Sequence, residues 1–250
     1  MYIQTFIGQA THANYCLEHT CPDKTSINFG YCVMSLKTES APSALIIYYS
    51  FSRQTCRLVE KFTEGLEKKG VNCVTERIYP EKPPAFPLNS IPATIKMMLA
   101  TFFRVRIPIK PLSDRAFQHY DLVIIAGPTW SFNPSGPILA LLDRDSKNIF
   151  SGRPVLPLIS CRKYWRTNAW YLKKRIIKSG GIPEQPIHYQ HPVPDPWNLV
   201  GVFLTIAGKS PRKIPVMKKY YPRYGHTTRQ LEQAVKDGEK IGAFLLKNQK

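Results

Sequence analysis

Three hydroxyl side chains follow a buried apolar stretch, at Ser50, Ser52 and Thr55 in the segment LIIYYSFSRQT. The apolar run predicts a strand, and the helical pattern behind it predicts that a helix begins at this loop. Backbone N–H groups and the helix dipole favour an anion there, and the hydroxyls can donate hydrogen bonds to it. The loop therefore predicts a phosphate site. Without a ligand, the same hydroxyls would form a helix-capping cluster.

Other signatures of chemistry do not accompany this loop. No Gly-x-Gly-x-x-Gly or Gly-Lys-Ser/Thr pattern is present, which argues against a Rossmann dinucleotide site and a nucleotide triphosphatase. No acid–base pair is evident, so we assign no catalytic residue. Neither the histidines nor the cysteines have the spacing of metal ligands, and we assign no metal. The six cysteines, at positions 16, 21, 32, 56, 73 and 161, are expected to be reduced thiols in a cytoplasm.

Composition predicts one α/β domain with a basic surface. The 250 residues, 43% of them apolar, can bury one substantial core, and no apolar run reaches the length of a membrane span. The net charge is +18, and residues 151–224 contain 14 basic and two acidic residues. Such an excess indicates an anionic partner, although a solvated basic face is the commoner explanation.

Strands and helices are predicted to alternate along the chain from residue 44. The predicted strands are ALIIYY, VNCVTERIY, YDLVIIAG, RPVLPLIS and IHYQH, and the predicted helices are TCRLVEKFTEGLEKKG, SGPILALLD, TNAWYLKKRIIKSGG and TTRQLEQAVKDGEKIGAFLL. This alternation predicts an open parallel sheet with right-handed crossovers and helices on both faces. We expect Leu231, Val235 and Phe244 to face inward from the last helix.

Three segments lie outside this pattern. Residues 1–43 show no sustained period and are expected to form a poorly ordered tail, or to lie upstream of a true start at Met34. Residues 80–112 and 194–222 are rich in proline, aromatic and basic residues, and they are interpreted as insertions in loops of the sheet. Residues 44–250 form the predicted domain.

The first insertion contains the apolar segment IPATIKMMLATFFRVRIPI. A helix from Ala93 to Arg106 would place Ile95, Met98, Leu99 and Phe102 on one face, and its only charges are positive. The favoured interpretation is an ordinary helix packed on the sheet. A lid over the ligand, a contact in a homodimer and a contact with an anionic membrane surface remain alternatives.

Two further stretches, together with the hydroxyl loop, resemble a known family. The loop SFSRQT, the segment YDLVIIAGPTWSFNPSGPILALLD and the polar segment SCRKYWRTN resemble the flavodoxin family, which binds FMN. The resemblance covers about residues 44–190 and the last helix. It implies an open, doubly wound, five-stranded parallel sheet of order 2-1-3-4-5.

The resemblance also implies a set of cofactor-binding residues. Those expected at the phosphate are Ser50, Ser52, Arg53, Gln54 and Thr55; those on one side of the ring are Pro128, Thr129 and Trp130; and those on the other are Ser160, Cys161, Arg162 and Tyr164 or Trp165. Arg53 stands where the family has glycine, so its guanidinium would pair with the phosphate or its bulk would close the site. Trp130 would otherwise be a core aromatic. Cys161 is interpreted as a buried thiol rather than a nucleophile.

The function implied is FMN-dependent oxidoreduction. The basic region disfavours service as an ordinary electron shuttle, and Arg162, Lys163 and Arg166 would attract NAD(P)H, or a redox partner would supply the electrons. The electron acceptor is not specified. The alternative is a flavin-free protein of the same fold that docks an anionic or lipidic partner through its basic face. Nucleic-acid binding is disfavoured, since a flavin loop explains the aromatic residues more simply.

Overall fold

The sheet of this chain is parallel and has the strand order that the resemblance implies. The computed structural model describes residues 41–221 and 225–248. Residues 1–40 of the predicted tail, with Met34, lie outside that range, and Ser43, the last residue of the predicted tail, is already the first residue of the first strand. The strands are β1 (Ser43–Tyr48), β2 (Asn72–Arg77), β3 (Leu122–Trp130), β4 (Asn133–Pro134), β5 (Pro154–Cys161), β6 (Ile182–Pro183) and β7 (Ile187–Gln190).

Strand order in the sheet is β2-β1-β3-β5-β6, with β7 also paired to β5 and β4 paired to β3. The fifth predicted strand, IHYQH, is β7, and the structure adds the short β6, which was not predicted, beside the same neighbour β5. The two segments do not form one continuous strand, because Pro183 and Pro186 lack the N–H groups that a continuous ladder requires. All the ladders are parallel except the short β3–β4 hairpin. The order 2-1-3-4-5 is that of a doubly wound, flavodoxin-like fold.

Helices cover both faces of the sheet. The α-helices are α1 (Gln54–Glu67), α2 (Ile91–Phe102), α3 (Gly136–Arg144), α4 (Ser146–Phe150), α5 (Trp165–Lys178), α6 (Trp197–Ile206), α7 (Pro215–Tyr220) and α8 (Thr228–Asn248). Alternate strand residues point to opposite faces. Leu45 and Ile47 join the apolar cluster under α3 and α5, whereas Ala44 and Ile46 join the cluster under α1 and α8. We call this sheet with its covering helices the body.

Glycines let α1 and α8 approach closely. A Cβ atom at Gly238 would lie 2.2 Å from the Phe62 carbonyl oxygen, and one at Gly65 would lie 2.1 Å from the Val235 carbonyl oxygen. One expectation for α8 is wrong: Phe244 is exposed and Leu245 is buried in its place. The close helix contact runs through Ala234, Gly238 and Gly242, which shifts the inward face away from Phe244.

The two insertions hold α2, α6 and α7. The expectation that the helix of the first insertion packs on the sheet is wrong. Helix α2 begins and ends earlier than predicted, because Ser90 caps it by accepting a hydrogen bond from the Ala93 N–H and because Arg104, just beyond it, has a left-handed backbone with φ 56° that does not continue a right-handed helix.

 The face with Ile95 and Leu99 is exposed rather than packed on the sheet. Ile109, Ala116 and other residues that follow α2 cover the sheet there instead.

Candidate functional site

A cleft of about 320 Å³ lies at the carboxyl ends of β1, β3 and β5, where the strand order of the sheet reverses. Doubly wound sheets bind their ligands at this position, and the volume falls within the range of small-ligand pockets. Ten of the thirteen predicted site residues line it, namely Ser52, Gln54, Thr55, Pro128, Thr129, Trp130, Ser160, Cys161, Arg162 and Tyr164. Ser50, Arg53 and Trp165 do not.

The hydroxyl loop divides its side chains between the fold and the cleft. The Ser50 hydroxyl is buried and accepts a hydrogen bond from the Cys56 N–H at 3.2 Å. Ser50 therefore serves the first turn of α1, as the capping interpretation predicts. Ser52 and Thr55 line the cleft, and the Ser52 hydroxyl accepts a hydrogen bond from the Gln54 side-chain amide. The end of the cleft at the N-terminus of α1 thus carries donors suited to an anion.

Arg53 holds the loop in the conformation that a glycine would adopt. It is the residue before α1, with φ 61° and ψ 0°, in the left-handed region. This conformation costs an L-residue roughly 1–2 kcal/mol. The Arg53 side chain is exposed and outside the lining of the cleft, so its bulk does not close the site. The predicted pairing of its guanidinium with a phosphate stays a prediction.

The second predicted loop is largely strand. Pro128, Thr129 and Trp130 are the last residues of β3, and Thr129 and Trp130 pair with β4 across a tight turn. The side-chain amide of Asn168, on α5, donates to the Thr129 hydroxyl at 2.7 Å. These contacts fix the hairpin at one side of the cleft.

Trp130 combines the two roles considered for it. Its ring meets those of Tyr49 and Phe51 edge-on, with centroids 5.7 and 5.4 Å away, and it packs against the apolar core. It also lines the cleft. The core contacts hold the ring in one place, so a ligand would meet an aromatic surface that is already positioned.

The third group of predicted residues begins at the end of β5. Ser160 and Cys161 are strand residues, and the Ser160 hydroxyl lies 2.9 Å from Nε2 of His226. Burial raises the pKa of the Cys161 thiol to about 12, so this thiol is neutral at ordinary pH. That state agrees with the interpretation of Cys161 as a buried thiol.

Tyr164 and Trp165 occupy different environments although they are adjacent. Tyr164 has a left-handed backbone with φ 59°, lines the cleft, and has its ring 4.4 Å from that of Phe132. Trp165 begins α5 and stacks on His188 with centroids 3.9 Å apart. Of the two alternatives for this side of the ligand, the geometry favours Tyr164.

The outer wall of the cleft comes from the insertions and was not predicted. Its residues are Met97, Met98 and Thr101 of α2 and Leu199, Val202, Phe203 and Ile206 of α6. The two insertions touch, because the Leu88 N–H donates to the Ile206 carbonyl at 2.7 Å. The apolar run in the first insertion was the sequence signal for this wall, but periodicity does not tell which neighbour a helix faces.

His226 and Gly225 are also at the site without having been predicted. His226 is buried against Ser160, and a Cβ atom at Gly225 would lie 3.7 Å from the Gln54 side chain. The segment before α8 therefore supports both the hydroxyl loop and the end of β5. No spacing in the sequence indicates this contact, since His226 is far along the chain from both.

Comparisons with known proteins find similar solved structures but no matching family. No family model and no curated protein matches the chain. Among solved structures, it is similar to a flavodoxin from the domain Archaea, with 12% identity over 82% of this chain and 99% of that one and a TM-score of 0.47. It is also similar to a flavoprotein in complex with FMN from Lactobacillus acidophilus, with 21% identity over 59% and 93% and a TM-score of 0.47.

A third similar structure is an NAD(P)H:quinone oxidoreductase from Methanothermobacter marburgensis, with 12% identity over 81% of this chain and 96% of that one and a TM-score of 0.45. Because these identities and TM-scores are low, the fold class rests on the strand order of the sheet itself. The chain is a flavodoxin-like α/β protein with a cleft at the carboxyl edge of its sheet.

Proposed function

We propose that the cleft binds FMN and that the protein is an FMN-dependent oxidoreductase. The observation that carries this proposal is the convergence of ten residues, predicted from three separate segments, on one cleft. Ser52, Gln54 and Thr55 would hold the phosphate, together with the first N–H groups of α1. Trp130 and Tyr164 would flank the ring.

The charge of the cleft fits a phosphate group. Its lining contains Arg162 and Lys163 and, among the described residues, no Asp or Glu. Lys163 forms an ion pair with Asp195 that is partly exposed to solvent. Such a pair contributes little stability, so Lys163 can turn to an anionic ligand at small cost.

Bound flavin supplies the redox chemistry, while the protein supplies binding, orientation and electrostatics. Trp130 and the β3–β4 hairpin orient the ligand, and the apolar side chains of α2 and α6 exclude water from the cleft. The neutral thiol of Cys161 serves packing. The electrons come from NAD(P)H, for which Arg162 and Lys163 provide the charge, or from a redox partner protein.

A charge substitution in the hydroxyl loop tests the proposal. Protein purified with excess flavin should carry FMN rather than FAD, since the loop suits a terminal phosphate. Ser52→Asp should release the flavin through repulsion of the phosphate. Ser52→Asn introduces a side chain of the same size as aspartate but without the charge, and it should retain more of the flavin. Bound flavin is measured by chromatography after denaturation. Equal retention by the two variants would show that the phosphate does not lie at this loop.

A flavin-free binding protein is the second candidate. The observation that favours it is that the hydroxyls of Ser50 and Thr129 already take part in internal hydrogen bonds, and that Trp165 already stacks on His188. Titration of the purified protein with FMN separates the candidates. A saturable change in the visible flavin spectrum supports the oxidoreductase, and its absence at high FMN concentration supports the flavin-free protein.

A further inference from the structure

The insertions carry most of the exposed apolar surface of the described chain. Thirteen of the 22 large hydrophobic side chains that are exposed there lie within residues 80–112 and 194–221. Leu99 is 54% exposed and Phe103 is 72% exposed. Surface residues of this kind are ordinary when they are scattered singly, but their concentration in one region marks an interaction surface.

The helices of the insertions differ in charge from those of the body. Helices α2 and α6 together contain 22 residues and a single charged side chain, that of Lys96. Helices α1 and α5 each contain five charged residues among 14. An exposed helix of a water-facing surface normally carries charges on its outer side. The outer sides of α2 and α6 are therefore unsuited to water.

Basic residues accompany the exposed apolar side chains in both insertions. The two insertions contain ten Lys or Arg side chains against Glu81 and Asp195, and Asp195 is paired with Lys163. Arg104 and Arg106 donate hydrogen bonds to Asn133 and Asp143. The exposed lysines at positions 82, 96, 209, 213, 218 and 219 carry positive charge in the same two segments. Exposed apolar side chains together with basic ones are typical of a surface that lies in the interface of an anionic membrane.

We propose that the insertion face docks on an anionic membrane surface. The face is defined as α2 with the adjacent Phe103, α6, and the lysines of α7 and of the segment before it. Charge selects this occupant over a second copy of the chain, because a two-fold contact would bring the basic side chains of two identical faces together. The nearly uncharged, apolar character of α2 and α6 selects lipid over nucleic acid, because nucleic-acid interfaces are polar.

The face contacts the membrane without crossing it. Among the described residues, no helix has both the length and the apolar character needed to cross a bilayer. Met98 and Leu199 are exposed on the insertion face and also line the cleft. The mouth of the cleft therefore lies within the docking face, so an apolar molecule dissolved in the bilayer would reach the cleft directly. This inference holds for the face whether or not the cleft binds flavin.

Sedimentation with lipid vesicles tests the docking. The full chain is mixed with phosphatidylcholine vesicles, with or without phosphatidylglycerol, at low and at high salt. We expect the protein to pellet with the anionic vesicles at low salt and to be released in part by high salt, which screens the charges. Protein that stays in the supernatant with anionic vesicles at low salt overturns the proposal.

Paired variants locate the contact. Leu99→Asp with Phe103→Asp should weaken binding to anionic vesicles by about tenfold or more. The control, Ile177→Asp with Phe244→Asp, changes side chains that are 55% and 56% exposed on the body and should bind as the unaltered protein does. Lys213→Glu with Lys218→Glu should also weaken binding by about tenfold, against Lys173→Glu with Lys178→Glu as its control.

The remaining outcomes are equally decisive. Equal losses in the face variants and in their controls would show a nonspecific effect of net charge and would overturn the docking face. A dimer that the Leu99→Asp, Phe103→Asp variant dissociates in the absence of vesicles would assign the face to a second copy. Thermal unfolding of each variant verifies the fold. The lysine variants leave the apolar side chains intact and give an independent result if the aspartate variants do not fold.

Discussion

The body and the insertions build opposite walls of one cleft in different ways. On the body side, strand ends position the side chains and hydrogen bonds hold them, as Asn168 holds Thr129 and as His226 meets Ser160. On the insertion side, Met98, Phe203 and their neighbours form an apolar wall on half-exposed helices. If the cleft binds the proposed ligand, the body fixes where the polar groups of that ligand lie, and the insertions determine which apolar shapes fit beside them.

Substitution of glycine by alanine should lower the free energy of unfolding more in the body than in the insertions. Gly238→Ala places a methyl group 2.2 Å from the backbone oxygen of Phe62, so α1 and α8 must separate. We expect a loss of about 3 kcal/mol in the free energy of unfolding, measured by urea denaturation. Gly201→Ala meets the ring of Tyr221 at 2.4 Å, and we expect a smaller loss, because a side chain moves more easily than a helix backbone.

Helix propensity alone would raise the free energy of unfolding in both variants, since alanine is favoured over glycine by about 1 kcal/mol within a helix. A Gly238→Ala variant that is more stable than the unaltered protein would show that the close approach of α1 and α8 is not required. A larger loss in Gly201→Ala would show that the insertions, rather than the body, are the more tightly packed region.

Truncation of Trp130 tests the body wall as a binding surface. Trp130→Ala should weaken FMN binding by about 2 kcal/mol, the scale of aromatic stacking on a base, and titration of the flavin spectrum measures it. Trp170→Ala is the matched control, because the Trp170 ring is exposed on α5 outside the lining of the cleft. Unchanged FMN affinity in Trp130→Ala would limit this ring to its core contacts with Tyr49 and Phe51.

Alkaline pH should weaken the body through its buried thiols. Cys161 has its pKa raised by burial from about 9 to about 12. Such a group stabilises the fold below the unfolded pKa, and the stabilisation is lost as the pH rises toward the folded pKa. The free energy of unfolding should fall by about 1 kcal/mol from this thiol between pH 8 and pH 10.

The matched variant is Cys161→Ala, in which the decline between pH 8 and pH 10 should be smaller than in the unaltered protein. Urea denaturation at each pH measures both proteins. Two parallel curves would show that the Cys161 thiol does not contribute to the alkaline loss. The insertions contain none of the cysteines, so no thiol in them contributes to the pH dependence of the free energy of unfolding in either protein.

The smallest expected effect compares two residues with left-handed backbones. Arg53→Gly relieves the strain of φ 61° before α1 and should stabilise the protein by about 0.5 kcal/mol, after the greater freedom of glycine in the unfolded chain is counted. Asn89→Gly, at φ 53° in the first insertion, should gain less, because asparagine tolerates this conformation. A loss of stability in Arg53→Gly would show that the arginine side chain stabilises the loop.

Much of the body could be predicted from the sequence because its patterns are dictated by burial. Leu58, Val59, Phe62 and Leu66 were expected on one face of the first helix, and all four are buried. The continuous apolar strands could belong only to a sheet covered on both faces. The hydroxyl loop could be placed at the cleft because strand ends and helix starts meet there.

The insertions could not be predicted in the same way. The period of α2 indicated an apolar face with Ile95 and Leu99, and an apolar face is usually assigned to a core. Here other residues of the same insertion cover the sheet, which leaves that face exposed. Trp165 and Tyr164 show a similar limit on a smaller scale, since the residue at which a helix begins decides which neighbour enters the cleft.

The hydrogen bond between the Leu88 N–H and the Ile206 carbonyl joins opposite halves of the chain. It can form only after the chain has been synthesised through Ile206, and contacts between segments far apart in sequence are slow to form. A nascent chain interrupted before α6 would have the hydroxyl loop and the β3–β4 hairpin but an open cleft. Enclosure of a ligand would then depend on completion of synthesis through α6.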